Sequence, residues 1–180
     1  MPPRIEPGDR SEIGWRNWAI ANGAGLAAKG SPPRIFTTLG RHRRLFRAWI
    51  RFAGALMPRG KLPRDETELV ILRVAHNSGS DYEWSHHERL GKRAGLSEEE
   101  ISRVREGPQA PGWSPRRAML LRAADQMHAD RVIARPLWDE LAAELDDVRL
   151  IELCMLIGHY EMLAMTLNTL EVEPERPGRL

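Results

Sequence analysis

The sequence predicts an all-α fold, a single-domain helical bundle of about seven helices, and three observations carry that expectation. Apolar residues recur at three- and four-residue spacings through most of the chain. Proline, glycine and capping residues fall between those periodic stretches rather than inside them. No stretch alternates apolar and polar residues between hairpin-type turns, so no strand is indicated. At 180 residues one globular domain is the default, and a chain of this length buries roughly 70% of the surface its unfolded state exposes, without disulfides or a structural metal.

The elements follow in order. Residues 1–10, with three prolines and little apolar content, read as a flexible N-terminal arm. Ile13, Trp15, Trp18, Ala19 and Ile20 mark a helix from about Glu12 that Gly23 and Gly25 stop near Leu26. A second runs from Arg34 to about Met57 with Gly40 as a break, and Pro58 and Gly60 close it. Pro63 opens a third, to Asn77, whose Asp65, Glu66 and Glu68 suit the positive end of the helix dipole. A fourth, from about Ser80 to Ala94, ends at Gly95, a left-handed cap after Lys92 and Arg93. Ser97 with Glu100 makes a capping box for a short helix to Glu106. Gly107 to Gly112 is the most loop-like interior stretch and reads as the join between two halves of the domain. Ser114-Pro115 restarts helix to about Ala129, Arg135-Pro136 to about Leu145, and Asp146 or Asp147 caps a last helix to about Leu170. The domain therefore spans 11–173, and 174–180 is a C-terminal tail.

Charge and composition exclude several classes of function. Lys and Arg number 27 against 25 Asp and Glu, a net charge of +2, so no global field favours nucleic acid. The local basic run, Arg41, Arg43, Arg44, Arg47 and Arg51, is interleaved with Leu45, Phe46, Trp49, Ile50 and Phe52. It reads as the solvated face of an amphipathic helix. On this reading no apolar run approaches the roughly 18 residues of a membrane span, and the N-terminus lacks a signal-type apolar stretch. A cytoplasmic protein with no membrane or nucleic-acid partner is expected. Cys154, the lone cysteine, fits a reducing compartment and excludes a two-cysteine redox cycle within one chain.

The informative stretch is ELVILRVAHNSGSDYEWSHHE, Glu68 to Glu88. On the helix starting near Ser80, Glu83 and His87 are four apart and share a face, with Ser80 a turn earlier. A carboxylate beside an imidazole sets its tautomer and raises its pKa, which suits proton transfer near neutral pH. Tyr82 and Trp84 flank this stripe as pocket walls. On spacing alone, a solvent-facing helical pair worth a few tenths of a kcal/mol is the stronger alternative. A metal site at His76, His86, His87 and Glu83 is the weakest, because adjacent histidines diverge by about 100° on a helix and no HExxH spacing occurs.

This stretch continued to ELVILRVAHNSGSDYEWSHHERLGKRAGLSEEEI, together with RLIELCMLIGHYEMLAMTLNTLEV downstream, resembles the carboxymuconolactone decarboxylase family, which includes the alkylhydroperoxidase D-like proteins. The resemblance runs from about Arg34 to Val172. It implies an all-helical fold assembling as trimers or hexamers, with a pocket between helices near the subunit interface. In the family's peroxidase branch a Glu is followed, after eleven residues, by a CxxC pair and a His four residues on. Here Glu68 takes the Glu position, Ser80 and Glu83 those of the cysteines, and His87 that of the His. Peroxide reduction by that route needs one thiolate to attack oxygen and another to resolve the sulfenic acid, and neither serine nor glutamate can do so. Cys154, in the apolar segment LCMLIG, reads as a small core residue.

What the resemblance leaves is acid–base chemistry without a cofactor or metal. In the decarboxylase branch, loss of CO₂ from a carboxylated lactone leaves a carbanion to be reprotonated. His87 is then the general acid/base, Glu83 its partner or a second proton carrier, and Glu68 an orienter reaching over from the preceding helix. Ser80, Tyr82, Trp84, His86, His159 and Tyr160 are the expected substrate contacts, although a helix-start serine often serves only its own backbone and His159 reads equally as a core histidine. Trp15 and Trp18 read as core or subunit packing. His42, His76 and His128 have no companions in the sequence. The expected partners are a small-molecule substrate and further copies of the chain; an alkylhydroperoxidase-like peroxidase and a non-catalytic small-molecule-binding oligomer are the alternatives.

Overall fold

A computed structural model of the chain describes residues 2–27 and 30–175. Residues 176–180 of the expected tail, and Met1 of the expected arm, lie outside the described residues. Among those described there are ten helices and no strand, and the chain divides into two compact units.

The first unit comprises residues up to Met57 with those from Leu167 onward. It holds α1 (Arg10–Ile13), α2 (Trp15–Ala27), α3 (Arg34–Leu39) and α4 (Arg43–Leu56). The break expected at Gly40 is present, the turn at Gly40 to His42 parting α3 from α4, and Gly14, at φ 78°, adds a division the sequence did not indicate, between α1 and α2. Conversely, Gly23 and Gly25 do not stop α2, which continues to Ala27. A Cβ on Gly25 would stand 2.8 Å from the backbone of Ser31 and Pro32, so the residue permits a close chain approach instead of a helix end. Gly8 N–H donates to Thr37 O at 3.0 Å, and Arg4 N–H to Leu170 O at 3.0 Å. Phe36, Phe46 and Trp49 stack edge-on and tilted, with centroids 5.6–5.9 Å apart. Trp15 is 64% exposed and Trp18 40%, each beneath an arginine, so the core reading of this pair does not hold.

The second unit, Pro58–Thr166, contains α5 (Arg64–Asn77), α6 (Asp81–Ala94), α7 (Glu98–Glu106), α8 (Pro115–Asp130), α9 (Arg135–Glu144) and most of α10 (Asp147–Leu170). α5 packs against α6, α7 and α8 and is buried along most of its length. Leu69, Leu72, Leu96, Ile101, Val104 and Leu121 form one apolar cluster beside it. Arg73 ties three helices together: Nε and Nη2 donate to the Asp125 carboxylate at 2.6 and 3.0 Å, and Nη1 to Val104 O at 2.7 Å. Caps stand where the sequence indicates them, with the Ser97/Glu100 box on α7, Ser114 on α8, and Gly95 left-handed after α6.

Two expectations are corrected here. Gly107 to Gly112 does not join two halves; it lies inside the second unit, held by Trp113 Nε1 donating to Gly107 O at 3.0 Å and Arg103 to Gly112 O at 3.3 Å. And α10, a 24-residue helix containing an 18-residue stretch with a mean hydropathy of 1.4, is long and apolar enough to cross a membrane, contrary to the expectation that no run approaches that length. Half of that apolar window is buried within the protein, where Leu153, Leu156 and Ile157 are almost wholly covered, as in a core helix.

Candidate active site

The chemistry-bearing residues come from α5, α6 and α10, all within the second unit. Glu68, in the second turn of α5, is fully buried, and its Oε2 lies 2.7 Å from His87 Nδ1 on α6. Arg64, one turn earlier on α5, sets Nη2 2.5 Å from Glu68 Oε1. A carboxylate accepting at Nδ1 holds a proton on that nitrogen and leaves Nε2 as the end of the ring turned away from Glu68. The carboxylate paired with His87 is thus Glu68, not the same-helix Glu83 that spacing suggests.

Glu83 has a different environment. It is 2% exposed, and neither carboxyl oxygen has a hydrogen-bond partner. Burial pushes its pKa from the ordinary 4.5 to about 8, with the Glu161 carboxylate adding to the rise and Ser80 opposing it. Ser80 is buried and starts α6, yet its side chain does not cap the helix, so the local backbone role expected for such a serine is not the one it plays. Its hydroxyl stands near Glu83 without reaching bonding geometry.

Tyr160 connects these groups. Its ring meets His87 edge-on at 5.0 Å and an interplanar angle of 89°, and His159 follows at 5.1 Å and 82°. Burial, then the nearby Glu68 and Glu83, hold the Tyr160 phenol well above its usual range, so it remains a neutral donor. Burial, reinforced by His87, lowers the His159 pKa to about 4 and keeps that ring uncharged at neutral pH.

The remaining expected contacts are placed unevenly. Tyr82 is buried and stacks on His86, centroids 6.3 Å apart at 8°. Trp84 faces the other way: it packs on the α5–α7 apolar cluster beneath the Arg105 guanidinium, 3.8 Å from the ring centroid, and so does not wall this site. His128, read as lacking companions, pairs with Glu161 at 2.7 Å across α8 and α10. That contact has no sequence signal, since the residues are 33 apart. Arg64, four residues before Glu68, was findable from its spacing. Cys154 is half-buried, not fully buried, and burial raises its thiol pKa. Among the described residues, no three of His, Cys, Asp and Glu are grouped to hold a metal ion.

The sequence profile of the carboxymuconolactone decarboxylase family matches residues 43–126, a span that includes Glu68, Ser80, Glu83 and His87. That match spans somewhat under half of the chain, and over it the sequence is similar to the family. No curated protein matches the sequence. Among solved structures, the fold is shared with an uncharacterised peroxidase-related protein from Ralstonia eutropha JMP134, described as an alkylhydroperoxidase AhpD core. It superimposes with a TM-score of 0.86 at 17% identity, over 97% of this chain and 94% of that one. A peroxidase-related protein from Silicibacter sp. TM1040 gives 0.81 at 13% identity, over 91% and 86%. A cysteine-to-alanine variant of the debrominase Bmp8, in complex with 2,3,4-tribromopyrrole, gives 0.72 at 16% identity, over 97% and 93%. At these identities the likeness is one of fold.

Proposed function

We propose that the chain is a cofactor-independent enzyme that transfers a proton to a small carboxylated or lactone-type organic substrate, with decarboxylation as its reaction. The observation that supports this reading is the division of labour between two acid–base groups. Glu83 is a carboxyl that keeps its proton at neutral pH, and His87 is an imidazole held through Nδ1 by Glu68. A protonated carboxyl and an oriented imidazole on one helix face supply a proton donor and a hydrogen-bonding or relay group for such a reaction.

In the proposed step the bond from ring carbon to carboxylate breaks, its electron pair passes into the conjugated lactone carbonyl, and CO₂ leaves. Glu83 then gives its proton to that carbon. The resulting carboxylate is disfavoured where it stands, which drives it to take a proton back from solvent. His87 Nε2 accepts a hydrogen bond from the substrate or relays the returning proton, Glu68 fixes its tautomer, and Ser80, His159 and Tyr160 are uncharged groups that orient the substrate. A thiol peroxidase has no support here, because Cys154 stands alone and burial makes it less nucleophilic.

The test is to incubate the purified chain with carboxylated γ-lactones in D₂O, following CO₂ release and deuterium at the former carboxyl-bearing carbon. Glu83→Gln and His87→Gln are each expected to slow turnover at least about 100-fold, the usual contribution of a positioned acid or base. Turnover unchanged in Glu83→Gln removes the assignment.

A further inference from the structure

The outward face of α10 has no role in this chemistry. Between Val148 and Met165 its exposed residues are Val148, Ile151, Met155, Gly158, Met162 and Met165, without a fully exposed charge among them. The five side chains are 46–65% exposed. Their spacing of three, four, three, four and three is the seam of a helix meant to lie along another helix.

We propose that this seam is covered by the same seam of a second copy, the two α10 helices running antiparallel about a two-fold axis. The pattern itself selects that occupant. Turned end for end, it maps onto itself: Val148 meets Met165, Ile151 meets Met162, and Met155 meets Gly158. Every pairing sets one seam residue against another, as a self-complementary contact requires. Met155, the bulky central residue, falls opposite the only seam position without a side chain, and a Cβ at Gly158 would meet nothing within 4 Å in the single chain. The five side chains leave roughly 500 Å² open to water, at the upper end of a monomer's largest apolar patch. That supplies more than half of the roughly 800 Å² each partner gives to a stable interface, and the residues flanking the seam add the rest.

Sedimentation equilibrium of the full chain tests the register. Wild type is expected to self-associate at micromolar concentration through this two-fold contact, as a dimer or as the paired subunits of a hexamer. Val148→Glu and Met165→Lys singly should each raise the dissociation constant at least about tenfold, and the double variant V148E/M165K should return it to within about threefold of wild type, because each new charge then faces its opposite across the axis. Positions 148 and 165 lie far apart on one helix, so no contact within a single chain explains such a rescue. Unchanged far-UV circular dichroism confirms that the variants fold. A wild type that stays monomeric, single variants with unaltered affinity, a double variant that fails to recover, or binding to uncharged phosphatidylcholine vesicles that is lost in Met155→Glu would each overturn the proposal. None of these readouts depends on turnover.

Discussion

Glu83→Gln is expected to make the protein more stable, by an amount that grows with pH. In the unfolded chain this carboxyl ionises near its ordinary 4.5; in the folded protein it does so only at about 8. Between those values the folded state holds a proton that the unfolded state has released, so stability falls as pH rises through that window and levels off above it. Each pH unit crossed within the window costs about 1.4 kcal/mol, so the wild type forgoes a few kcal/mol by neutral or mildly alkaline pH. Glutamine keeps the shape and never ionises. Urea unfolding at pH 5, 7 and 9 should show the two proteins nearly alike at the lowest pH and diverging upward, with the variant ahead. Parallel curves would mean that Glu83 is charged in the folded state, and the proton donor would have to be sought elsewhere. An acid that weakens the fold yet is required for turnover is what a site selected for reactivity produces.

The opposite result is expected at Glu68. This carboxylate is fully buried between Arg64 and His87. Glu68→Leu removes the acceptor from a histidine side chain only 7% exposed and from a guanidinium whose Nη1 is buried and unbonded. Breaking a buried pair from one side costs about 3–5 kcal/mol, because the partner's desolvation is no longer offset. Glu68→Gln, which keeps one acceptor oxygen, should cost about 1–2 kcal/mol. Chemical denaturation of both variants, with His87→Leu alone and combined with Glu68→Leu, gives the coupling energy directly. A Glu68→Leu protein within about 1 kcal/mol of wild type would show that the pair contributes little to the fold.

Much of the helical layout was legible because its signals are local. Ser97 with Glu100, Gly95 after Lys92 and Arg93, and proline at the start of α8 act within one turn of the chain. The glycines show where such reading stops: Gly14 ends a helix and Gly25 does not, and the difference lies in the Ser31–Pro32 backbone that crosses Gly25. At the site, spacing correctly indicated that Glu83 and His87 share a helix, but one helix cannot show which neighbour each residue meets. The partner of His87 comes from α5 and the unpaired state of Glu83 from the packing around it, both properties of the assembled unit. The Glu161 to His128 bond and the inward turn of Trp84 toward α7 depend in the same way on helix rotation, which no period in the sequence records.

The placement of Glu68 on α5 has a consequence for motion. Nine of that helix's fourteen residues are buried, from Glu66 to Ala75. Its amide protons should therefore exchange with solvent only when the surrounding unit opens as a whole, while shallower helices breathe. The carboxylate that sets the histidine's tautomer is thus mounted on the slowest-moving segment of the unit, so thermal fluctuation alone will seldom break the dyad while the protein stays folded.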